Sequence, residues 1–82
     1  MAQLESEVLR TFLAVAEAGS VTEGAARVFR SQSAASLQLK RLEATVGRPL
    51  FHRHGRGVTL TDAGRRLLPV ARDVTERLDG AL

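Results

Sequence analysis

Ser31-Gln32-Ser33-Ala34-Ala35-Ser36-Leu37-Gln38-Leu39-Lys40-Arg41-Leu42-Glu43-Ala44-Thr45-Val46-Gly47 is the stretch that decides the architecture of this chain. Ala35, Leu39, Leu42 and Val46 recur at steps of four, three and four, which draws a single apolar stripe along a helix. Ser31 supplies an N-cap hydroxyl, Gly47 a stop, and Pro49 bars continuation. The spacing therefore predicts a helix over about 32–46 with Gln32, Ser33 and Ser36 at its polar starting end. Leu37 is out of pattern, an apolar residue about 200° around the helix from Ala35.

Working upstream, Leu4 to Ala18 carries Val8, Leu9, Phe12, Leu13, Val15 and Ala16 at helical spacing, with Gly19 as its stop. Ser20-Val21-Thr22-Glu23 follows as an S-x-x-E capping box, so a second helix is expected from Val21 to about Phe29, with Ala25 and Val28 inward. Gly24 costs that helix about 1 kcal/mol relative to alanine, which points to close packing or a backbone approach there. Only Phe29-Arg30 separates the second helix from the third.

Downstream, Leu50-Phe51-His52 and Val58-Thr59-Leu60 read as short strands around Arg53-His54-Gly55-Arg56-Gly57, a hairpin with a basic, glycine-containing tip. Thr61, with Asp62 in the first turn, caps a last helix to the chain end. Pro69 lies inside it and predicts a bend between Leu67 and Val70. Leu67, Ala71, Val74 and Leu78 form a seam suited to a second copy of the same helix. The expected fold is mainly α: a winged helix-turn-helix of three helices and a two-stranded wing over 1–61, then a long dimerisation helix over 62–82.

The 82 residues suffice for one small core and leave little room for a catalytic cleft. With no cysteine, disulfides and thiolate metal sites are excluded. The absence of any apolar run near the roughly 20 residues of a membrane span, and of a basic leader, suggests a soluble cytoplasmic protein. The net charge of +3 is unevenly placed. Arg27, Arg30, Lys40, Arg41, Arg48, Arg53 and Arg56 crowd the middle against the single acid Glu43, the pattern of a face that meets a polyanion. Ser31, Ser33, Ser36, His52, His54 and Asp62 do not form a catalytic triad: the serines are caps and surface positions of one helix, both histidines fall on the wing, and no G-x-S-x-G turn is present. His52-Arg53-His54 lacks further metal ligands and holds a cation between its imidazoles, so no metal is expected.

Five segments together resemble the LysR-type bacterial transcription regulators: Phe12-Leu13-Ala14-Val15-Ala16-Glu17 with Gly19-Ser20; Ser31-Gln32-Ser33-Ala34-Ala35-Ser36; Lys40-Arg41-Leu42-Glu43; Gly47-Arg48-Pro49-Leu50-Phe51; and Leu60-Thr61-Asp62-Ala63-Gly64. The likeness covers about Leu9 to Leu78. It implies a dimer that binds an interrupted inverted repeat of double-stranded DNA, with the third helix in the major groove and the wing, about 50–60, in the minor groove. Gln32, Ser33 and Ser36 are then the candidates for base readout. Ser20, Thr22, Arg30, Lys40, Arg53 and Arg56 are the candidates for phosphate or minor-groove contact, with Arg30 equally readable as a solvated turn residue. Arg41 and Arg48 read slightly better as solvated surface.

Three positions depart from the family pattern. Ser33 stands where many members carry proline, Arg30 where the turn is usually apolar, and Leu37 where a polar or basic residue is common. The family also implies a C-terminal domain that binds a small-molecule inducer, which suggests that this chain is a segment of a longer regulator needing no cofactor of its own. The alternative is a winged-helix module that binds DNA without sequence preference or docks on protein.

Overall fold

A computed structural model describes residues 5–81, so Leu4, the expected start of the first helix, lies outside the described residues. The order is α1 (Ser6–Ala18), α2 (Val21–Arg27), α3 (Gln32–Val46), β1 (Phe51–His54), β2 (Gly57–Leu60) and α4 (Asp62–Gly80). The strands pair antiparallel, Phe51 opposite Leu60 and His54 opposite Gly57, so Gly55-Arg56 alone makes the turn.

Three of the four helices start on a hydroxyl cap. Ser20 accepts from the Glu23 amide, Ser31 from Ala34 and Thr61 from Gly64, at 3.1–3.2 Å. The capping box is thus half formed, for among the described residues no Glu23 side-chain bond returns to the Ser20 amide. Gly19 and Gly47 close α1 and α3 in the left-handed conformation that glycine adopts without strain.

Helix α2 ends two residues earlier than its apolar pattern suggests. Arg30 N donates to Ala25 O at 2.9 Å and Phe29 N to Ala26 O at 3.1 Å, a Schellman closure with Phe29 at φ +58° in the place usually held by glycine. Phe29 is 97% exposed and Val28 half-buried. The turn therefore begins inside the stretch that spacing alone assigned to the helix.

The core joins Leu9, Phe12 and Val15 of α1 to Val21 and Ala25 of α2, Ala35, Leu39 and Leu42 of α3, Leu50 and Val58 at the wing, and Ala71 of α4. Val46, the last member of the α3 stripe, is exposed. Gly24 explains its own cost: a Cβ there would lie 2.6 Å from Val15 Cα, so its absence lets α2 rest on the α1 backbone. Buried Thr11 donates to Gln38 Oε1 at 2.6 Å, tying α1 to α3.

Helix α4 runs unbroken through Pro69 and lies along α1. Arg10 meets Asp79 at 2.7 Å and Arg72 lies 3.9 Å from Glu17, so the two helices are antiparallel. One member of the expected dimer seam is displaced as a result. Ala71 is 0% exposed inside the core of its own domain and is unavailable to a partner. Val70, 52% exposed, stands on the open side with Val74 and Leu78, while Leu67 is half-buried against the core.

Candidate nucleic-acid interface

Helix α3 is held on its inner side by Ala35, Leu39 and Leu42 and anchored at its far end by Glu43, whose carboxylate accepts from the Leu50 amide at 2.6 Å. Its outer side is polar where the chain enters it. Gln32 and Ser33 are exposed, Ser36 is half-buried, and Lys40 is exposed one turn further on. Ser33 Oγ lies 3.3 Å from Ser31 Oγ, whereas among the described residues the Gln32 side chain makes no hydrogen bond.

The wing is placed against the other elements by backbone contacts. Val58 N donates to Gly19 O at 3.0 Å, and Gly57, at φ +136°, passes so close to that carbonyl that a Cβ would overlap it. At the base, Thr61 N donates to Leu50 O at 3.0 Å and Thr61 Oγ1 to Pro49 O at 2.7 Å. Phe51 packs a tilted ring on Phe12 with centroids 5.4 Å apart. The hairpin is therefore an arm of fixed direction, with Arg53 and Arg56 exposed along it.

These supports bring four of the expected residues around one open cleft of about 290 Å³. Ser20, Val21 and Thr22 line it from the start of α2, Gln32 from the start of α3, and Arg53 from the wing, with His54, Gly55, Gly57 and Val58 completing the wall. The cleft sets hydroxyl and amide donors opposite a guanidinium across a gap, a surface suited to an anionic strand with a polar edge beside it. Ser33, Ser36, Lys40 and Arg56 lie outside its walls. His54 was not among the expected contacts; its Nδ1 accepts from Arg56 N at 3.3 Å, which shapes the wing tip.

Arg30 does not join this group. Its guanidinium pairs with Glu7 of α1 at 2.9 Å, so it braces the α2–α3 turn. Among the described residues, no three histidine, aspartate or glutamate side chains come together as a metal site, and no helix is long and apolar enough to cross a membrane.

Residues 6–65 match the family model described as bacterial regulatory helix-turn-helix protein, lysR family. The regulator DgdR of Burkholderia cepacia is 49% identical over 79 residues, covering 96% of this chain and 27% of that protein. PecT of Dickeya dadantii is 44% identical over 78 residues, covering 95% of this chain and 25% of that protein. This chain therefore spans about a quarter of the length of these relatives, which are transcriptional regulators. Among solved structures, the CbnR DNA-binding domain in complex with DNA superposes with a TM-score of 0.90 at 38% identity, covering 95% of this chain and 90% of that one. Vibrio fischeri DarR in complex with DNA gives 0.91 at 28% identity, over 98% of this chain and 27% of that one. From its helix caps to its wing, this chain belongs to the LysR family of bacterial regulatory helix-turn-helix proteins.

Proposed function

We propose that this chain is the sequence-reading DNA-binding domain of a LysR-type transcription regulator and acts as a dimer on an interrupted inverted repeat. The observation that carries the reading is the cleft in which Ser20, Thr22, Gln32 and Arg53 converge beside the exposed polar end of α3. In this reading α3 enters the major groove, where Gln32 pairs bidentately with adenine N6 and N7, and Ser33 and Ser36 contact neighbouring base edges. Ser20, Thr22 and Lys40 hold phosphates, while Arg53 and Arg56 reach the minor groove through the wing. The chain has no catalytic role and acts in the cytoplasm. A small-molecule inducer binds the part of the regulator outside this segment.

The open stripe of α4, made by Val70, Val74 and Leu78 with half-buried Leu67 at its edge, is the dimer seam. Apolar side chains along a helix otherwise locked to its domain gain burial against a second copy of the same helix. Likeness to DNA complexes of family members supports the reading.

Selection of duplexes from a random pool at two salt concentrations tests it. The expected result is an enriched inverted repeat that persists at the higher salt, and a Gln32→Ala variant that relaxes preference at one position per half-site, about 10- to 100-fold. Binding without enrichment that vanishes as salt rises would leave only a phosphate-binding module.

A further inference from the structure

The outward face of α3 holds one large apolar residue that lies neither in the core nor on the open stripe of α4. Leu37 is 49% exposed, about 200° around the helix from buried Ala35. At about 100° per residue it falls some 40° from Ser33, one turn earlier, and some 60° from Lys40, one turn later. Both lie to the same side of it, and exposed Arg41 lies about 40° to the other, so the side chain stands between the edge formed by Ser33 and Lys40 and that formed by Arg41, facing away from the core.

We infer that Leu37 is a specificity-determining residue that packs against the 5-methyl group of a thymine in the major groove. This rests on the reading of α3 as the groove-entering helix. The size of the patch selects the partner. Leu37 is a single leucine whose helical neighbours three and four residues away are Ser33, Ala34, Lys40 and Arg41, a patch too small and too polar-edged to seat another protein. Among the described residues the other exposed large apolar side chains lie apart from it in the sequence, Phe29 in the α2–α3 turn, Val46 at the far end of α3, and Val70, Val74 and Leu78 on α4. On the major-groove edge the base pairs present hydrogen-bonding groups and one apolar group, the thymine methyl. A leucine in place of a polar side chain gives up hydrogen bonding and reads that methyl instead.

The test removes only the methyl. In the duplex recovered by selection, each thymine is replaced in turn by deoxyuridine, and the whole chain and its Leu37→Ala variant are titrated at one salt concentration. The expected result is a thymine at which deoxyuridine weakens the parent about fourfold, the worth of one methylene-sized group withdrawn from water. Leu37→Ala binds both duplexes alike at that position. Insensitivity of the parent at every thymine, or unchanged sensitivity in Leu37→Ala, overturns the inference. The scan on the parent decides the first point even if the variant folds poorly, and Leu37→Met, which keeps an apolar contact, should retain the discrimination. Failure to recover any sequence would sink the underlying reading as well, whereas a recovered sequence without methyl dependence sinks this inference alone.

Discussion

Gly64 sits in the first turn of α4, where helix propensity favours alanine by up to about 1 kcal/mol. The structure reverses that sign. A Cβ at position 64 would overlap the Leu50 carbonyl oxygen and lie 2.8 Å from Leu60 Cδ2 and 3.2 Å from the Leu50 carbonyl carbon. The obstacle is backbone, and that carbonyl already accepts the Thr61 amide at 3.0 Å while the Leu50 side chain is fully buried. Overpacking of this kind costs about 1–3 kcal/mol, and weakening the hydrogen bond adds about 1 kcal/mol. Gly64→Ala is therefore expected to destabilise by about 2 kcal/mol net, a fall in melting temperature of roughly 8–16 °C for a domain of this size. Gly80→Ala is the matched control, since a Cβ there meets nothing within 4 Å and should leave stability unchanged or raise it. Thermal unfolding followed by circular dichroism compares the two. A Gly64→Ala protein melting as high as its parent, or a Gly80→Ala protein falling equally far, would refute the reasoning.

Val74→Glu should abolish dimers in sedimentation velocity while leaving the helical spectrum intact, because Val74 lies on the open stripe; Ala71→Leu should instead lower the melting temperature, since Ala71 is core. Phe29→Gly is expected to raise stability by up to about 1 kcal/mol, measured by urea unfolding, because a side chain in the left-handed region at a helix C′ position is replaced by the residue suited to it. The hydrogen bond from Arg10 holds the Asp79 carboxyl below its ordinary value. A depressed carboxylate contributes stability that is present above the unfolded value of about 3.9 and is lost as pH falls through the folded one. The gap in melting temperature between the parent and Asp79→Asn should therefore close below about pH 4; a gap that widened in acid would contradict the assignment.

The features legible in the sequence were those set by near neighbours along the chain. Ser20, Ser31 and Thr61 each cap a helix through an amide three residues on, so their roles depend on nothing distant. The glycines of the hairpin showed the reversal, although the strands extend further and confine the turn to Gly55-Arg56. Ser20, Thr22, Gln32 and Arg53 were each legible as separate contact candidates, but that they line one cleft depends on how the wing docks and was not legible in the sequence. The pairing of Arg30 with Glu7 could not be read, because 23 positions separate them and nothing local marks the partner. Nor could His54, whose place in the cleft depends on how Gly57 docks on Gly19.

The misplacement of Ala71 has a more specific cause, and it bears on how two copies would be held. Helix α4 carries two stripes side by side: Gly64, Leu68, Ala71 and Thr75 inward, and Leu67, Val70, Val74 and Leu78 alongside. Spacing of three and four fits either, and a seam drawn through Leu67, Ala71, Val74 and Leu78 crosses from one to the other. Thr75 disguises the inner stripe, being polar in type yet buried, with its hydroxyl satisfied within the helix by Ala71 O at 2.9 Å. Only the position of α1 separates the two stripes. The same packing that hides Ala71 also fixes the direction in which Val70 and Val74 face, and α1 is in turn joined to α3 through Thr11 and Gln38. In a dimer formed through the open stripe, the distance between recognition helices is then set by packed side chains along the path α3–α1–α4. On the proposed dimer reading, a stiff connection of this kind would make half-site spacing a property of the domain core, so that core residues far from the DNA would take part in selecting the target.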